Sequence, residues 1–166
     1  MIFIPDSSFF IAIISELEEI KLLKRILDIE NNRIILTKEV YNEIKDTKNS
    51  DQLMSLIQNK IIILKKKINN QDFENYCREN YTLNIGELSV IYIGNELKIT
   101  TQDYYCIIDE KKARKLSKEE NLKLCGTIGF LEYLLNLNLI SKNEFKNYLK
   151  ILKLKGFRLP KAYNKL

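Results

Sequence analysis

The chain has 166 residues, 45% of them hydrophobic and 30% charged, which suits one domain built around a single buried core. Lysine and arginine number 27 against 22 acids, for a formal charge of +5, and histidine is absent. Without histidine a Ser-His-Asp triad, a His-ligated zinc site and a Cys-His pair are excluded, so hydrolytic chemistry would have to run on carboxylates.

Short β-rich runs alternate with longer helical patterns along the chain, which predicts an α/β fold with a mostly parallel sheet. A strand over residues 2–5 leads through Asp6 into a helix over 7–14 and a second over 18–28. A strand over 33–36 precedes Thr37, a suitable N-cap, and a helix over 40–45. Residues 51–58 place Leu53, Leu56 and Ile57 at helical spacing, and 61–64 form the third strand. Helices over 72–79 and 85–97 follow, then a strand over 105–108, a helix over 110–119 and a short strand over 123–125. Helices over 127–136 and 142–154 complete the set, and Gly156 is the predicted C-cap of the last. Residues 1–166 form one expected domain, with its C-terminal helix and a basic, extended tail over about 141–166.

Several function classes lack their signatures. No G-x-x-x-x-G-K-[ST], no G-x-G-x-x-G after residues 2–5 and no G-x-S-x-G elbow occurs. Cys77, Cys106 and Cys125 are widely spaced and odd in number, and are expected as reduced, mostly buried thiols. Apolar runs such as residues 9–14 are too short to span a bilayer, and the N-terminus has no basic leader region. The expected location is cytoplasmic, with no membrane partner.

Four acids stand at or just past the ends of apolar runs: Asp6, Glu43, Glu87 and Asp109. Each has a local explanation. Asp6 and Asp109 could be helix N-caps, Asn84 and Glu87 fit a capping box, and Glu43 could be a solvated helix residue. Right-handed crossovers, however, point all parallel strands the same way and gather their C-terminal ends along one edge, where open α/β sheets bind ligands. The four acids then become one candidate site for a hard divalent cation such as Mg²⁺ or Mn²⁺. Glu110 is a possible outer ligand, although a helix N1 acid is the commoner role.

Basic segments have two readings throughout. Lys111, Lys112, Arg114 and Lys115 form a solvated helix face or a hold on a phosphate backbone. Lys65-Lys66-Lys67 reads the same way, and the tail carries Lys150, Lys153, Lys155, Arg158, Lys161 and Lys165. A basic surface around an acidic pocket would draw a phosphate backbone to a bound metal, whereas +5 spread evenly would only aid solubility.

The ordered blocks resemble PIN-domain ribonucleases, particularly the VapC-like toxin subgroup of toxin–antitoxin pairs. Asp6-Ser7-Ser8-Phe9-Phe10-Ile11 is similar to the family's D-[TS]-S-x-[LF]-I, and Val40-Tyr41-Asn42-Glu43-Ile44 to V-x-x-E-[LI]. Gly86-Glu87-Leu88-Ser89 is similar to G-E-A-x. Ile107-Ile108-Asp109-Glu110 with Ala113-Arg114 resembles [IL]-[IL]-D-[DE]-x-x-A-R, and Gly126-Thr127-Ile128-Gly129 resembles G-T-x-G. Gly156-Phe157-Arg158-Leu159 also fits the subgroup. The resemblance implies a Rossmann-like α/β/α sandwich and Mg²⁺- or Mn²⁺-dependent cleavage of single-stranded RNA. It implies metal-binding roles for Asp6, Glu43, Glu87 and Asp109, with Ser8 supporting Asp6. An antitoxin protein and a homodimer are the partners implied. Pro5 before Asp6 and Glu110 in place of the usual aspartate are departures.

Two other readings follow from the same residues. One is a PIN fold that holds RNA or protein without cutting. The other is a haloacid-type phosphatase, which would need a second aspartate two residues after Asp6, where Ser8 stands.

Overall fold

The structure is a computed structural model that describes residues 1–65, 68, 71–100 and 103–163. Lys66, Lys67 and Lys165, all in basic segments singled out above, lie outside the described residues. The strands are β1 (Ile2–Pro5), β2 (Arg33–Thr37), β3 (Ile63–Lys65), β4 (Tyr104–Ile107) and β5 (Leu124–Cys125). They form one parallel sheet in the order β3-β2-β1-β4-β5. The registers Ile4↔Cys106 and Pro5↔Ile107 bring the C-terminal ends of β1 and β4 side by side. The chain works outward from β1 to β3, then crosses back to β4, so β1 and β4 flank the point where strand order reverses.

The helices are α1 (Ser7–Phe10), α2 (Lys21–Leu27), α3 (Lys38–Ile44), α4 (Ser50–Gln58), α5 (Gln71–Glu79), α6 (Ile85–Ile99), α7 (Lys111–Glu119), α8 (Thr127–Asn136) and α9 (Lys142–Leu154). Together with the sheet they make a three-layer α/β fold. On one face Phe130 of α8 stacks edge-on against Phe3 of β1 at 5.6 Å and against Phe9 at 4.9 Å. The paired aromatics add about 0.5–1.5 kcal/mol each to the area they bury. Toward the other helices, the buried Thr37 and Ser89 hydroxyls bond at 2.7 Å, tying the end of β2 to α6.

Several boundaries differ from the sequence expectation for local reasons. The helix expected over 7–14 is α-helical for one turn only. From Ile11 to Glu16 it widens into a π-helical segment. Glu18 takes a left-handed φ of 55°, which a continuing helix forbids, so α2 starts at Lys21 rather than at residue 18. Lys60 does the same at φ 56°, and the Ile61 and Ile62 amides bond back to the Leu56 carbonyl. Those amides are therefore spent on closing α4, and β3 begins two residues later than expected. Residues 161–163, expected to be extended, form a single 3-10 turn.

The three cysteines are free, and Cys106 is buried with its thiol well above the usual range because of that burial. Among the described residues no helix is long and apolar enough to cross a membrane.

Candidate active site

β1 ends at Pro5, so Asp6 is the first residue beyond the sheet, and its own N–H bonds the Ile107 carbonyl of β4 at 2.9 Å. Its side chain is 1% exposed. One carboxylate oxygen accepts the Phe9 N–H at 2.9 Å, capping α1, and the other accepts the Asp109 N–H at 3.1 Å. Burial, then repulsion from Asp109 and, more weakly, Glu87, pushes the Asp6 carboxyl up to about 7, against the pull of its two backbone donors. Among the described residues no cation stands among those influences.

Asp109 follows β4 by two residues. Thr127, at the first position of α8, donates its N–H to Asp109 Oδ1 at 3.0 Å and its hydroxyl to Oδ2. Burial raises the Asp109 carboxyl despite these bonds and despite the nearby Arg114 guanidinium, which itself bonds the Ile108 carbonyl at 2.6 Å. A Cβ on Gly126 would lie 2.6 Å from Asp109 Oδ1, so the close approach of α8 requires a glycine there.

Glu87 is 7% exposed in the first turn of α6 and accepts the Asn84 N–H at 3.2 Å. Burial raises it most, and Glu110 and Glu43 raise it further, while the Asn84 bond and Lys112 oppose them. Glu43 is exposed near the end of α3 and accepts the Gly86 N–H at 3.2 Å. A Cβ on Gly86 would fall 2.6 Å from Glu43 Oε2 and nearer still to Oε1.

The structure thus joins Asp6 directly to Asp109, sets Glu87 within electrostatic reach of Asp6, and flanks Glu87 with Glu43 and Glu110. Site and cap roles coexist: Asp6 caps α1 and Glu87 closes its box. The cap of α7 is a correction. Glu110, not Asp109, takes that place by accepting the Ala113 N–H at 2.8 Å, and it precedes the helix instead of opening it. The Ser8 hydroxyl is not among the bonds that hold Asp6 in the described residues. Thr127 was given no role from sequence, and Arg114 was read only as part of a basic run, a solvated helix face or a hold on a phosphate backbone. Thr127 lies in Gly126-Thr127-Ile128-Gly129 and Arg114 in the basic run, so both were visible as motif residues without a partner to give them a role.

The donor set is oxygen only, which suits a hard divalent cation. Buried Asp6 and half-buried Asp109 repel each other, and a cation would relieve that repulsion. Among the described residues no three Asp, Glu or Cys side chains converge closely enough to share an ion as they stand. A pair suffices for an ion such as Mg²⁺, which is held by one or two carboxylates and keeps several waters. On charge and donor type the residues fit such an ion.

A family model described as PIN domain matches residues 2–165. The search of curated proteins found no match to the chain.

Proposed function

Because the chain belongs to the PIN-domain family, whose members are generally nucleases, we propose that it is a divalent-cation-dependent ribonuclease that hydrolyses single-stranded RNA. The observation that carries this reading is the Asp6–Asp109 pair at the strand-order switch, a buried and a half-buried carboxylate joined through the Asp109 N–H, with no cation among the described residues acting on Asp6. Asp6 and Asp109 would hold Mg²⁺ or Mn²⁺, with Glu87 and Glu43 beside them. Such a cation supplies Lewis acidity and neutralises charge that builds on the phosphate.

The remaining work falls to the chain. The Phe9 and Thr127 donors lock the two aspartates in place, so neither needs to reorganise when charge develops. Asp6 or Asp109 would accept a proton from an attacking water. Water oxygen bonds to phosphorus, the bond to the leaving ribose oxygen breaks, and that oxygen takes up a proton. RNA is the substrate assigned because the motif blocks resemble ribonucleases and because Arg114, Arg158 and Lys161 line the groove beside Asp109. A toxin role, with an antitoxin protein and a homodimer as partners, extends the reading by the same resemblance.

A second reading, a PIN fold that binds RNA without cutting, is favoured by one observation: among the described residues no three acids converge on one point. Purified wild type and Asp109→Asn should be incubated with a mixed single-stranded RNA pool in Mg²⁺, Mn²⁺ or EDTA. Metal-dependent cutting that disappears in the variant is expected. Binding of the pool without cutting in either metal would replace the nuclease by the binding module.

A further inference from the structure

A groove of about 500 Å³ opens beside Asp109, between the start of α8 and the segment that follows α9. Its charged lining is Asp109, Arg114, Glu132, Arg158 and Lys161. Both carboxylates are already engaged: Asp109 with Thr127, and Glu132 with the Tyr163 hydroxyl at 2.6 Å. Among the described residues Arg158 and Lys161 make no ion pair. Gly126 and Gly129 also line the groove, and over Gly126 it is Asp109 Oδ1 and Arg114 Nη1 that an incoming group would meet, 2.6 and 3.2 Å from where a Cβ would stand.

The segment that carries Arg158 is fastened on either side of it. Gly156, at φ 83°, and Phe157 send their N–H groups to the Lys153 and Leu152 carbonyls, at 3.1 and 2.8 Å, and so reverse the chain out of α9. Leu159 then buries in the core, and the Tyr163 ring packs on Phe145 at 5.6 Å. Between these anchors Arg158 and Lys161 are left exposed at the groove. A long cation held on a fixed backbone, with its charge unmatched and a reacting centre on the adjoining wall, suits an anionic chain that continues past that centre.

We propose that this groove is a phosphate subsite of the RNA strand, in which Arg158, assisted by Arg114 and Lys161, holds a backbone phosphate that flanks the one cut at the Asp6–Asp109 pair. The assignment rests on the nuclease reading above and adds the path of the substrate. Arginine suits the role because its planar fork donates two bonds to a phosphate at once. Since the contact is with the backbone, it contributes affinity and register without base preference.

The test is binding of a fluorescent single-stranded RNA oligonucleotide to the full chain carrying Asp6→Asn, which blocks cutting, over a series of salt concentrations. Arg158→Ala added to this chain should weaken binding several-fold and lower the slope of log K against log salt by about 0.7, the value for one phosphate contact on a single strand. Lys24→Ala, on a separate basic groove, should leave the slope unchanged. In the chain with Asp6 intact, Arg158→Ala should raise KM for RNA cleavage more than it lowers kcat. Equal slopes with and without Arg158, or an equal loss in Lys24→Ala, would overturn the subsite while leaving the nuclease reading intact. An Asp6→Asn chain that does not bind RNA, together with a wild type that does not cut it, would overturn both.

Discussion

At the scale of single residues, the site is set by how closely backbone and carboxylates approach. Glu43 reaches the Gly86 N–H only because Gly86 has no side chain. In Gly86→Ala the added methyl meets the mobile end of Glu43, which can swing into solvent from its exposed position. The expected result is a melting temperature within a few degrees of wild type and RNA cleavage reduced at least about tenfold, roughly the effect of 1.4 kcal/mol on the barrier. Unchanged cleavage would take Glu43 out of the site.

Asp6 has a separate, pH-dependent consequence. Its carboxyl is raised from the ordinary value to about 7, so between those limits the folded chain holds a proton that the unfolded chain has released. In metal-free buffer this contribution makes stability fall as pH rises from about 4 to about 7, with no further loss from this group above that. Asp6→Asn should flatten that part of the profile and be the more stable protein at pH 8, as read from urea midpoints in EDTA. A variant that loses stability at pH 8 would show that the carboxylate contributes more as a helix cap than burial and repulsion cost.

At the scale of elements, the segment after α9 depends on one left-handed residue. A Cβ on Gly156 would meet nothing within 4 Å, so any cost of Gly156→Ala comes from the φ of 83° alone. That cost is about 1 kcal/mol, worth about 2–4 °C in melting temperature for a domain of this size. A larger drop would mean that the reversal also holds Leu159 and Tyr163 against the core. The π-helical segment after α1 is an element of another kind. Phe9, Phe10, Ile13 and Ile14 are all buried, so the hydrophobic pattern over residues 7–14 is that of an ordinary buried helix. Nothing in that pattern distinguishes α-helical from π-helical bonding, which is why the sequence reading joined them.

At the scale of the whole molecule, the sheet and two helix layers bring together carboxylates that lie as far apart as residues 6 and 109. Their repulsion is built into the folded state and absent from the unfolded chain. A divalent cation bound only to the fold should stabilise by mass action, about 2.7 kcal/mol at a hundred times its dissociation constant. Mn²⁺ should therefore raise the melting temperature of wild type, EDTA should reverse the shift, and Asp109→Asn should abolish it. An equal shift in Asp109→Asn would place the ion elsewhere on the protein.

The sequence by itself determined the class of the fold and the place of the acids along it. Apolar strands alternating with helices admit few arrangements, right-handed crossovers make them parallel, and residues just past parallel strands must share an edge. Asp6 and Asp109 could be placed together on that ground alone. What only the tertiary structure decided were the contacts that no spacing encodes: Thr127 on Asp109, Gly86 on Glu43, Arg158 at the groove beside Asp109, and Glu110 instead of Asp109 as the cap of α7. Each depends on distance and orientation between segments far apart in the chain, or on a few degrees of backbone rotation. Periodicity and local propensity report neither, because both are sums over neighbours in sequence, whereas a carboxylate's partner and its charge state are settled by its neighbours in space.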